Sequence, residues 1–581
     1  MLLPLAVIVL LALYPQMALW LVRGSSWSGA YAASNYDEAA YSAYLNSQVH
    51  GRPRKYDPFL ARPTEHESLY SVQMVPAEVI AAPAAVFGLS TSTTFILLSA
   101  AIAVASALCV FAFLRMATDS DAASAAGTLA VLCMGTAVAF QGELRQLALG
   151  SVLIDYLPFM RRYQPGFGFP LFFLFCAAVW RSVSTDDVTR RRMLGIGAGA
   201  LFAVLVFTYF FLWTAAAAWL ACFAMVSLAL DRGSFRRIAE SIAPVAIFGA
   251  ATLLPYFWML ADRSPETDTI TLLTRTRMPE LLSLVMLAGL AAAAAAVIAA
   301  RYGKVELRSP SIVLVLSLGI TPAILLNQQI VTGRSLQPVH YEIFIGNYLV
   351  VAALVIFARQ SAGGRFDGKI ALYVGLIAAG WGLVEAAGST GRNAEANLIR
   401  DASAPAIEYI DARAAERGRP AVVHATNFLT ADIIPTFAAN ARPLWSIHLD
   451  TAGSVSPAEN KRLFYLYMYY SGFDEKDLER ALAENSFEVT AVIFGTGRAL
   501  PSLGQGAAAV RAAEIRNEVA KYAEFIRSFD ARGAAEPVLD HIIVPADAEP
   551  DLSRLDRWYE RVEGRTFGLF RVYELKPRSA R

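Results

Sequence analysis

Apolar residues dominate the first two thirds of the chain in blocks of about twenty, the length a helix needs to cross a ~30 Å hydrocarbon core, and short polar stretches separate them. Residues 1–22 carry no charge and form the first such block. Others fall near 93–114, 125–141, 167–180, 241–260, 281–300, 311–327, 341–358 and 370–387. Residues 195–230 are too long for one span and predict two, joined by a tight turn at 209–213. About eleven spans result, and the predicted class is a polytopic α-helical membrane protein. The first block lacks a basic leader, so it reads as a retained span rather than a signal peptide.

Two stretches break this rhythm. Residues 37–49 show Tyr41, Tyr44, Leu45, Gln48 and Val49 at helical spacing, which predicts an amphipathic helix lying on the bilayer surface and stopped by Gly51 and Pro53. Residues 74–89 are apolar but broken by Pro76 and Pro83, as in a surface-lying or re-entrant segment. Beyond residue 390 the pattern turns mixed. Strands are predicted at 421–424, 489–494, 540–544 and 567–575, and helices at 457–470, 474–484, 507–529 and 551–562, which together suggest an α/β domain. The division is therefore 1–390, a transmembrane domain with a long first outer loop at 23–92, and 391–581, an extracytoplasmic α/β domain.

The side of the membrane follows from the basic loops. Arg181 with Arg190 to Arg192, Arg232 with Arg236 and Arg237, Arg301 with Lys304 and Arg308, and Arg359 with Arg365 and Lys369 share one parity, which places them and the N-terminus in the cytoplasm. The loops at 23–92, 142–166, 261–280 and 328–340, and everything after residue 387, are then outside.

Composition agrees and removes some classes. Of 581 residues, 56% are hydrophobic and 17% charged, unlike a soluble domain. Lys+Arg 50 against Asp+Glu 49 gives a net charge of +1, so no basic field points to nucleic acid. The four cysteines, Cys109, Cys133, Cys176 and Cys222, all lie in apolar runs and offer neither a disulfide framework nor a thiolate metal site.

Candidate chemistry gathers in the outer loops. Asp37 and Glu38 follow the first span; Asn35 with Glu38 three residues on also fits a capping pattern, which is the structural alternative for both acids. Glu143 sits directly after a span, where an acid is costly without a partner. Arg161 and Arg162 close the same loop, either to bind an anion or to snorkel to water. Residues 327–342 hold Asn327, Gln328, Gln329, Thr332, Arg334, Gln337, His340 and Glu342, a polar density in which Arg334 and His340 are suited to grip a phosphate. The alternative is a polar plug joining two spans. No HExxH or comparable ligand spacing appears, and His424, His448 and His541 read as structural histidines. A divalent cation held by Asp37 and Glu143 stays open. The Gly495-Thr496-Gly497 turn lacks the rest of a phosphate-cradle fingerprint and reads as an ordinary turn.

The motif YDEAAY at 36–41, together with a first span, a long outer loop and an outer C-terminal domain, resembles the GT-C superfamily of polyprenyl-phosphate-sugar glycosyltransferases, which includes protein mannosyltransferases and lipid A aminoarabinose transferases. The resemblance implies hexosyl or pentosyl transfer from a polyprenyl-phosphate donor to a lipid, glycan or protein acceptor of the cell envelope, in a bacterial inner membrane. It also implies Asp37 as the catalytic carboxylate, Glu38 as its neighbour and Glu143 as a second acid. Arg334, with Arg161 or Arg162, would stabilise the departing phosphate. A transporter or flippase of a lipid-linked saccharide, and a non-catalytic membrane assembly protein, are the competing classes.

Overall fold

The computed structural model describes residues 1–154, 156–499, 508–548 and 550–578. The chain folds as two compact units. The first comprises Met1–Ala18, Ile96–Met259 and Arg275–Asn393, the second Leu19–Phe95, Leu260–Thr274 and Ala394–Arg581.

Among the described residues, nine helices are long and apolar enough to cross a membrane: Leu2–Ser26, Thr91–Thr118, Asp121–Leu149, Phe210–Leu230, Arg232–Ala261, Leu284–Arg301, Pro310–Thr332, Pro338–Phe366 and Lys369–Arg417. Helices also occupy the other two expected positions. Gly168–Ser184 is apolar but only 17 residues long, and Val188–Val206 carries Arg190, Arg191 and Arg192 in its first turns. The chain is an integral, multi-pass membrane protein. In the first unit the helices Leu284–Arg301 and Pro310–Leu325 meet through glycine: a Cβ on Gly289 would lie 2.3 Å from the Gly319 carbonyl oxygen. Small residues let backbones approach in an apolar solvent that supplies no hydrophobic drive between helices.

The second unit is built on a five-stranded sheet, numbered here in chain order: β1 Ala421–Ala425, β2 Ala441–Pro443, β3 His541–Pro545, β4 Tyr559–Phe567 and β5 Phe570–Pro577. Its order is β2-β1-β3-β5-β4, parallel across the first three strands and antiparallel beyond. Alternation sends Val422, Ile542 and Val544 into one core and Ala421, Val423 and Ile543 into another. Both faces are covered, as parallel strands require.

Three sequence expectations change here. Residues 489–494 are helical, within Phe487–Phe494, and the glycine turn at 495–497 follows a helix, not a strand. Val489 and Ile493, four apart, enter the same core as Leu478 and Leu482, so packing overrides the β-branched composition. Residues 551–562 are not one helix: a single turn at Ser553–Asp556 gives way to β4, which returns through Gly568 at φ +55° into β5. A short hairpin with glycine in the left-handed region outweighs the helical spacing. The predicted helices at 457–470 and 474–484 appear as Pro457–Tyr470 and Glu475–Ala483. That at 507–529 runs from Ala512 to Ser528, with residue 507 outside the described residues.

The third change concerns the helix near Asp37. It spans Glu38–Val49 and does not present an apolar stripe outward: Glu38 to Ser47 are all buried, and Ala40 and Ala43 join the core that holds Leu444, Trp445 and Phe464. Its alanines and serines let the Phe428–Phe437 helix approach closely. Ser42 Oγ lies 2.7 Å from Thr436 Oγ1, and Asn46 Nδ2 donates to the carbonyls of Pro435 and Ala438 at 3.0 and 3.2 Å, pairing groups that a helix end leaves open. The 74–89 stretch forms the helix Val75–Phe87, which buries Ile80 and Ala84 and exposes Val79, Val86 and Phe87.

Candidate active site

The segment that delivers Asp37 is pinned from the long helix Lys369–Arg417. Buried Asp401 accepts the N–H groups of Ser28 (3.0 Å) and Ala30 (3.1 Å) on one oxygen and Arg23 Nε (2.7 Å) on the other. Asn397 clasps Ala33 through both its amide groups, at 2.9 Å each. Two residues later the chain turns at Asn35, whose side chain accepts the Asp37 N–H at 3.0 Å, and enters the helix with Asp37 at the N-cap.

The adjacent acids then diverge. Glu38 is completely buried and its carboxylate folds back over the helix start to accept the Ser34 N–H at 2.8 Å. Asp37 keeps half of its side chain exposed, and its Oδ1 lies 3.8 Å from His448 Nε2. His448 is buried, with Nδ1 2.9 Å from Asp432 Oδ1 and 3.0 Å from Oδ2. Ser446 Oγ donates to the same carboxylate at 2.7 Å, and the Tyr36 and Phe59 rings stand 5.3 and 6.1 Å from the imidazole. Burial opposes a charge on His448, but Asp432 and Asp37 outweigh it and push the imidazole up to about 10. The two carboxylates therefore favour the imidazolium form of His448. No spacing signal links it to Asp37: the fold brings together the start of a helix near the N-terminus and a loop after β2.

Glu143, Arg161, Arg162, Arg334 and His340 belong to the first unit. Glu143 lies in the helix Gly142–Leu149 and pairs with Arg392 Nη2 at 2.5 Å. Its N–H donates to Glu385 Oε2 at 3.2 Å, and Thr136 Oγ1 donates to Glu385 Oε1 at 2.9 Å. Gly142 and Gly388 make room for these contacts, since a Cβ on either would overlap the neighbouring carboxylate.

Arg161 and Arg162 do not snorkel; both are buried. Arg161 donates to the Tyr156 hydroxyl at 3.0 Å, and its guanidinium sits 5.5 Å from the centres of the Tyr156 and Phe344 rings. His340 stacks on that same Phe344 at 4.7 Å and meets Phe211 edge-on at 4.7 Å. Two of the candidate phosphate-binding residues thus share one aromatic ring. The polar loop around them partly holds itself together: Asn327 bonds both backbone groups of Glu280, and Gln329 Nε2 donates to the Met278 carbonyl at 3.0 Å. Arg334 is exposed, in a short strand after the left-handed turn at Gly333.

No family model and no curated protein matches the chain. Solved structures align with it over 96–97% of its length. ArnT from Cupriavidus metallidurans bound to undecaprenyl phosphate aligns over 97% of each chain at 11% identity and a TM-score of 0.48, and the same protein in the apo state over 97% of each at 13% and 0.44. The Archaeoglobus fulgidus oligosaccharyltransferase in complex with Zn and sulfate aligns over 96% of this chain and 71% of its own at 11% identity and a TM-score of 0.45. At those scores the chemistry of the site has to be read from this chain's own residues.

Those residues fit a cation poorly. Asp37 faces an imidazolium and Glu143 a guanidinium, so each carboxylate already has a positive neighbour. Among the described residues no group of three or more His, Cys, Asp and Glu is placed to hold a metal ion.

Proposed function

We propose that the chain is a membrane glycosyltransferase that moves a sugar from a polyprenyl-phosphate donor to a hydroxyl of an extracytoplasmic lipid, glycan or protein acceptor. The observation that carries this reading is the divergence of the two acids: Glu38 is buried over Ser34, while Asp37 stays half-exposed beside His448, as a carboxylate available to a substrate must be. Asp37 would take the proton of the acceptor hydroxyl as its oxygen bonds the anomeric carbon. The bond from that carbon to the phosphate oxygen breaks, and the electron pair leaves on the polyprenyl phosphate. Such a leaving group needs cationic character, for which Arg161, Arg162, His340 and Arg334 of the first unit are the candidates. Loop charge supports a cytoplasmic N-terminus with Asp37 outside.

A specific observation favours the transport alternative. Glu385, in the Lys369–Arg417 helix, is an acid buried among apolar helices and bonded to Thr136, the kind of group a proton or substrate pathway uses.

The two separate in detergent, where no gradient exists. Purified protein is incubated with synthetic polyprenyl-phosphate hexose and pentose donors, and release of polyprenyl phosphate is measured with and without an alcohol acceptor. Turnover by the parent and its loss in Asp37→Asn support transfer; no release from either donor class moves transport ahead.

A further inference from the structure

We infer that His448, anchored by Asp432, is a positioning residue that holds the Asp37 carboxylate ionised and fixed in direction for proton abstraction. The inference rests on the proposed role of Asp37 and extends it to two residues that no comparison assigns.

Three elements meet at the imidazole. Asp432 comes from the Phe428–Phe437 helix, His448 from the loop after β2, and Asp37 from the N-cap of the Glu38–Val49 helix. Because Nδ1 lies within 3.0 Å of both Asp432 oxygens, the ring presents Nε2 to Asp37 and cannot exchange the two nitrogens without breaking that contact. The flanking Tyr36 and Phe59 rings restrict its rotation further.

The charges explain why three groups are used rather than two. Asp432 is buried, and His448 is the cation in contact with it, so a neutral imidazole would leave a buried carboxylate uncompensated. The proton is thereby tied to His448. Its positive charge then acts on the half-exposed Asp37, which can gain and lose a proton to substrate and water while the inner pair stays fixed. The other titratable groups around the imidazole do not compete for that role. Tyr36 is kept protonated by burial, with Asp432 and Glu488 raising it further. Asp450, on the same loop as His448, is half-buried, and desolvation raises its carboxyl against the opposing pull of the His448 charge.

The arrangement predicts a shift in pH dependence that a merely structural histidine would not cause. An opposite charge within about 4–6 Å lowers a carboxyl by roughly 1–3 pH units. In His448→Gln the acid limb of polyprenyl-phosphate release should therefore move up by about one unit or more, with the rate recovering toward the parent at higher pH. Asp432→Asn/His448→Gln removes the buried charge together with its partner, so it tests the same shift if the single variant fails to fold.

Independently of turnover, histidine-selective labelling of the six imidazoles, with His448 assigned by its absence from His448→Gln, reads its titration directly. In the parent it should stay protonated to about pH 10. It should fall by about two units or more in Asp432→Asn and by a smaller step in Asp37→Asn. A parent His448 that titrates near 6.5, or an unmoved acid limb in a folded variant while Asp37→Asn is inactive, overturns the inference and leaves the glycosyltransferase reading intact. Parent-like release by Asp37→Asn overturns that reading instead, whatever His448 does.

Discussion

The carboxylate of Glu38 accepts the backbone N–H of Ser34 at 2.8 Å, one residue along from an acid that keeps half its side chain in solvent. Adjacent side chains on a helix point about 100° apart, so a pair read as one motif is divided between fold and surface.

That division gives the first prediction. Glu38→Gln keeps an acceptor for Ser34 and should retain most donor turnover, while Glu38→Ala leaves a buried N–H open and should lower the melting temperature, at a cost of about 1–3 kcal/mol. Asp37→Asn should melt like the parent, since the two side chains are nearly isosteric and this one is half-exposed, yet lose about 10² to 10⁴ in rate. Melting curves and polyprenyl-phosphate release on the same preparations check both halves.

A second prediction concerns Asp57. It is buried, and burial pushes its carboxyl up to about 6, against the opposing pull of the Ser454 hydroxyl and the N–H groups of Phe59 and Leu60. The folded state therefore holds a proton that the unfolded chain, at 3.8, has released. Stability falls as pH rises from about 4 to about 6, by on the order of 3 kcal/mol from this group, and is flat above. Asp57→Asn should remove that slope. Thermal melting of both proteins at a series of pH values between 4 and 7 decides it; a slope that persists in Asp57→Asn points to another group.

Glu143 can be tested as a structural partner. If its main role is the pair with Arg392, then Glu143→Gln and Arg392→Gln should each destabilise, and the double variant should cost less than their sum by about 1 kcal/mol or more. A folded Glu143→Gln that melts like the parent but fails to turn over donor would instead return this acid to the reaction.

For the cations, the shared ring is the lever. Phe344→Leu removes both the stack with His340 and the face beneath Arg161, and should weaken polyprenyl-phosphate binding about as much as Arg161→Lys does. Arg334 is exposed, so Arg334→Ala should change stability by less than about 0.5 kcal/mol. Any loss of donor use in it then reports function. Equilibrium binding of polyprenyl phosphate to each purified variant is the measurement.

The sequence alone determined the membrane class and where its long apolar helices fall, because a hydrocarbon solvent tolerates only apolar helices of a set length and writes that demand locally. The helix Pro457–Tyr470, expected from its pattern and found, is equally local, with Ser456 as its cap and Pro457 in its first turn. Tertiary structure decided what local pattern cannot encode. Val489 and Ile493 are helical because of the core they enter, and the helix after Asp37 is buried because its small residues admit a neighbour. Burial depends on what arrives from elsewhere in the chain. The same holds for His448: a histidine in a loop is unremarkable until folding sets Asp432 behind it and Asp37 before it, and the two carboxylates, not its sequence neighbours, determine its charge.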